Sequence, residues 1–160
     1  MGIIKKYYNC ITSEMKFAFL ASVIIFIVAH GFYFSNIFPN HDMVLLGVYS
    51  ESLGWMLTIG RWASTYVDKI SSFFYLPWVI GVISCLYMSV VSCLIIDTFK
   101  IKNKLNIVIL SSLIIINRFV STTFGFTTYA DIYLFSYILS ILPYYIINKN
   151  DKRNVAWMFF

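Results

Sequence analysis

The sequence predicts an all-α polytopic membrane protein with about four transmembrane helices and short amphipathic interfacial helices in its first outer loop. Three observations predict it. Of 160 residues, 60% are hydrophobic and only 12% are charged, too little charge to cover a water-soluble domain of this size. The apolar residues fall in long runs, suited to a hydrocarbon layer of about 30 Å at about 1.5 Å per helical residue. The basic residues gather at alternate ends of these runs, as a threaded membrane topology requires.

The first span is placed at residues 17–35, a run that is uncharged between Lys16 and Asp42 and interrupted only by His30. A cleaved signal peptide would have a shorter apolar core and a small-residue cleavage site; this run is longer and ends in Gly-Phe-Tyr-Phe. The second span, residues 73–96, carries no charge before Asp97. The third, residues 105–123, meets Arg118 before a full crossing is complete. It therefore requires the helix to continue through Arg118, with that side chain snorkelling to an interface or facing a partner helix. The fourth, residues 132–148, contains Pro143 and is expected to be thin or kinked. Residues 155–160 are apolar and aromatic and read as the opening of an incomplete fifth span, so the chain looks truncated. The whole forms a single membrane domain over residues 1–160.

Orientation follows from the lysines and arginines. Lys5, Lys6, Lys16, Lys100, Lys102, Lys104, Lys149, Lys152 and Arg153 fall on one side, against Arg61, Lys69 and Arg118 on the other. Basic residues near span ends stay cytoplasmic, so both ends are expected inside and the loop at residues 36–72 outside. The net charge of +5 then reflects topology, and no nucleic-acid partner is inferred. Cys85 and Cys93 lie on one helix and Cys10 at the cytoplasmic edge, which suits packing and no disulfide framework. His30 and His41 lack partners at metal-ligand spacing, so no metal site is assigned.

The outer loop is long for a simple connection. Its runs at residues 43–49 and 53–57 read as two short helices on the membrane surface, punctuated by Gly54 and Gly60, and residues 62–70 lead back to the bilayer. Four motifs follow in order: His30-Gly31-Phe32-Tyr33-Phe34-Ser35-Asn36, then Asn40-His41-Asp42, Gly60-Arg61-Trp62, and Tyr129-Ala130-Asp131-Ile132-Tyr133. In these the chain resembles the type II O-antigen, or serotype-converting, glucosyltransferase family. The resemblance implies the amino-terminal portion of a GT-C class membrane glycosyltransferase. Such an enzyme takes glucose from a polyprenyl-phosphate carrier and passes it to O-antigen on the periplasmic face of the bacterial cytoplasmic membrane. The bilayer, the lipid-linked sugar and the glycan acceptor are the implied partners; no cofactor is assigned, and a divalent metal is left open.

The resemblance also implies an essential carboxylate in the first outer loop, at Asp42. Glycosyl transfer needs a base for the acceptor hydroxyl, and a carboxylate within hydrogen-bond reach supplies one. Capping of a helix that begins at Met43 is the structural alternative. Asp131 and Glu51 are the other acids that could complete a two-carboxylate site, by orienting the acceptor or assisting a metal, although Asp131 could also cap a helix. Asp68, beside Lys69, reads as a solvated surface charge. Arg61 is the first candidate for the donor phosphate, because a guanidinium forks onto phosphate oxygens. Arg61 and Trp62 could equally anchor the loop at the headgroups, but anchoring does not explain the preceding Gly60. Arg118 is a second phosphate candidate, with snorkelling as its alternative, and His41 could tune Asp42 or touch substrate. Packing suits His30 at least as well as any role. Two other functions remain open: a small flippase for polyprenyl-phosphate sugars, and an inactive membrane fragment.

Overall fold

The structure, a computed structural model, describes residues 11–36, 53–71 and 76–149. Every regular element among them is helical. Helix α1 spans Ser13–Ser35, α2 Leu53–Thr58, and α3 Trp62–Asp68, which runs on into a 3-10 turn at Lys69–Ser71. Helix α4 spans Pro77–Thr98, α5 Lys104–Ile115, α6 Arg118–Thr123 and α7 Ala130–Lys149; a 3-10 stretch, Phe124–Tyr129, joins the last two. The polytopic helical class expected from the sequence is what the structure has: α1, α4 and α7 are each long and apolar enough to cross a membrane. The α5–α6 pair makes a fourth if it is one broken span.

Local chemistry sets the helix ends. Thr12 caps α1 by accepting the Met15 N–H at 3.2 Å. Pro77 stands in the first turn of α4, where its missing N–H costs nothing. That helix closes with Lys100 in the left-handed region, φ 52°. The Lys100 N–H there reaches the Asp97 carbonyl at 3.2 Å and the Ile101 N–H reaches Ile96 at 3.1 Å, the paired bonds of a Schellman stop. Gly54, expected to punctuate the loop, lies inside α2.

The third span departs from the uninterrupted helix that the sequence suggested. It breaks after Ile115, and α5 and α6 meet at a bend of 40°. An unbroken helix would join the Ile115 carbonyl to the Phe119 N–H. Asn117 takes that N–H on its side-chain oxygen at 2.8 Å. The carbonyl is met by His30 of α1, whose Nε2 donates to it at 3.0 Å. The Ile115 carbonyl freed by the break is therefore satisfied inside the bundle, and the Phe119 N–H at its exposed side.

Helix α4 is the central element, packed on α1 to one side and α7 to the other, while α5 lies against α1. Its buried positions include Gly81, Ser84, Cys85, Ser89 and Ser92, and small side chains let membrane helices approach closely. At Gly81 the approach is closest, since a Cβ there would overlap the base of the Phe34 side chain. One apolar cluster, around Phe26, Met88, Phe124 and Leu134, fills the end of the bundle nearest α3. A second, of Ala18, Cys93, Ile96 and Ile107, fills the end nearest the lysines of the α4–α5 turn. At that basic end Tyr145 donates to Asp97 at 2.8 Å, and the Asn148 amide donates to the Thr98 carbonyl at 2.9 Å. Those bonds tie α7 to α4 past Pro143, which lies within the helix.

Candidate functional site

The turn from α2 to α3 is built by Gly60. Its φ of 77° allows the Gly60 N–H to reach the Leu57 carbonyl at 3.1 Å and the Arg61 N–H to reach Met56 at 2.8 Å. This is a glycine-closed helix end, so Gly60 is explained by backbone geometry without reference to Arg61. Arg61 follows as the residue before α3, its carbonyl accepting from the Ser64 hydroxyl at 2.6 Å. The side chains of Arg61 and Trp62 are exposed, and the Trp62 ring meets Tyr66 edge-on at 6.4 Å.

The other face of α3 is buried. Thr65 and Asp68, one turn apart, are only 5% and 3% exposed, and the helix packs on α7. Asp68 is thus no solvated surface charge: the packing of α3 against α7 removes it from water. Opposite, in the first turn of α7, Asp131 has no exposure at all. Its Oδ1 accepts the Ile132 N–H at 3.0 Å, while its Oδ2 is buried without a hydrogen-bond partner. Asp131 lies within electrostatic reach of both Asp68 and the Tyr87 phenol of α4. Buried polar groups are ordinarily satisfied, yet the Thr65 Oγ1 and Tyr87 hydroxyl also lack partners. Three helices therefore bring unsatisfied oxygens to one end of the bundle.

The predicted site residues are distributed unevenly about this cluster. Asp131 is in it. Arg61 and Trp62 stand at the far end of α3 from Asp68, about 9–11 Å along the helix axis by its rise per residue. Arg118 opens α6 and is exposed, at one end of a groove of about 670 Å³ walled by Val108, Ile109, Leu113 and Ile116. His41, Asp42 and Glu51 lie outside the described residues, as do the short helix expected at residues 43–49 and the apolar segment at residues 155–160. Asp68 and Thr65 are what sequence reasoning missed. Their spacing of three, beside the single exposed stripe of Trp62, Tyr66 and Lys69, is the signal that would have found them. His30 is a packing residue, buried between Phe26 and Phe124 with ring centroids 5.0 Å from each.

A family model described as Glucosyl transferase GtrII matches residues 31–160, a stretch that holds the whole cluster and all the loop motifs. The chain belongs to the glucosyl transferase GtrII family. This is the family that its motifs resemble, and the match runs from Gly31 at the end of α1 through the α7 helix. Neither a curated protein nor a solved structure matches the chain. Within this GtrII chain the polar cluster lies where the loop between α1 and α4 folds back on α7.

Proposed function

We propose that this chain acts in a membrane glucosyltransferase, moving glucose from a polyprenyl-phosphate carrier to O-antigen on the periplasmic face of the bacterial inner membrane. The family match over residues 31–160 is the observation that carries the reading. The buried carboxylate of Asp131, with one unsatisfied oxygen, supports it by supplying a held polar group beneath the loop. In the proposed reaction Asp42 takes the proton from the acceptor hydroxyl as its oxygen bonds to the anomeric carbon of glucose. The bond from that carbon to the carrier phosphate breaks, with inversion, and the phosphate leaves with the electron pair. Arg61 stabilises the charge that develops on the phosphate, and Arg118 is the second guanidinium available for it. Asp131 or Glu51 completes a two-carboxylate site, by orienting the acceptor or assisting a metal, and His41 and Trp62 are further candidates for binding substrate.

The test is transfer of labelled glucose from polyprenyl phosphate glucose to the glycan, in membranes carrying the protein. Asp42→Asn is expected to lower the rate about 100-fold or more, the usual contribution of a general base, with the amount of protein in the membrane unchanged. Undiminished transfer would remove the base assignment. Movement of labelled carrier across vesicles with no glycan present would favour a flippase instead.

A further inference from the structure

We propose that Thr65, Asp68 and Asp131 hold a hard divalent cation, of the Mg²⁺ or Ca²⁺ kind, where α3 packs on α7. Four features of the cluster point to this ligand. Asp131 is wholly buried, yet its Oδ2 has no hydrogen-bond partner. Thr65, 5% exposed, likewise leaves its Oγ1 unpartnered, and it stands one turn from Asp68 on the face of α3 that meets α7. Asp68 sets a second carboxylate within electrostatic reach of the first. The Tyr87 hydroxyl of α4, also unpartnered, lies within electrostatic reach of Asp131.

The chemistry of the oxygens selects the class of ligand. Among the described residues no three His, Cys, Asp or Glu side chains converge, so the donors are two carboxylates and hydroxyls. That is an oxygen set suited to a hard cation and unsuited to zinc. Exposures of 0–5% at the three ligands describe an enclosed site, which suits a bare or partly hydrated ion. The unpartnered, wholly buried Oδ2 of Asp131 is costly to leave bare, and a cation bound to it offsets that cost. The inference deepens the glucosyltransferase reading, because a cation here would give the donor's phosphate a counter-charge, but its binding is measurable without turnover.

The experiment titrates Mn²⁺, as probe, into the purified full chain after EDTA treatment, reading free Mn²⁺ by electron paramagnetic resonance. Wild-type protein is expected to bind Mn²⁺ at one saturable site, with Mg²⁺ or Ca²⁺ competing. The near-isosteric variants Asp68→Asn, Thr65→Val and Asp131→Asn are each expected to weaken binding by about tenfold or more. Asp97→Asn, at the opposite end of the bundle, is expected to bind as wild type does. Absence of saturable binding by the wild type, or equal binding by all the variants, overturns the site. Should EDTA-treated protein bind no Mn²⁺ yet still transfer glucose, the cation site fails and the glucosyltransferase reading stands. Saturable binding that the three variants lose, with transfer absent in every preparation, supports the site and counts against the transferase.

Discussion

His30 shows how one polar side chain can serve a membrane fold without serving chemistry. It is 2% exposed, edge-on to Phe26, and its Nε2 meets the Ile115 carbonyl that the broken third span leaves open. Replacing it with leucine fills most of the space but strands that carbonyl, which is expected to cost about 1–3 kcal/mol. His30→Gln, which keeps a donor, is expected to lose less. Thermal unfolding in detergent measures both, and a His30→Leu variant as stable as wild type would show that the bond contributes nothing. At the same scale Asp68 marks what a linear reading overlooks. Beside Lys69 in the sequence it resembles any surface acid, and only the docking of α3 onto α7, a contact between residues distant in the chain, takes it out of water. Asp131 was singled out from its motif, but its unsatisfied oxygen depends on which helices surround it.

At the scale of the element, the long spans were readable because lipid imposes a simple demand: about twenty apolar residues with few charges. Helices α1, α4 and α7 meet it. The break between α5 and α6 was not readable, because it depends on Asn117 capping the new helix and on a histidine more than eighty residues earlier donating to the freed carbonyl. The sequence suggests a helix continuous through Arg118; instead Arg118 begins the second half, exposed. The end of α4 offers a cleaner quantitative test. Lys100 occupies a left-handed conformation that costs an L-residue with a side chain about 1–2 kcal/mol. Lys100→Gly is therefore expected to raise the unfolding temperature in detergent. A lower one would show that the lysine side chain contributes more there than its backbone conformation costs.

For the whole molecule, one central helix organises the rest. Helix α4 binds α1 through a glycine face at Phe34, and α7 through the Tyr87–Phe135 ring contact at 5.3 Å and the Tyr145–Asp97 bond. The polar cluster lies at one end of that bundle, and the lysines of the α4–α5 turn and of α7 lie at the other. The reaction proposed for the periplasmic face requires the cluster end to face outward and the basic end inward. In a background with the three native cysteines replaced by alanine, single cysteines at Tyr66→Cys and Lys102→Cys can be probed with a membrane-impermeant thiol reagent. The account predicts that Tyr66→Cys reacts in intact cells while Lys102→Cys reacts only after the inner membrane is opened; the reverse pattern would contradict it.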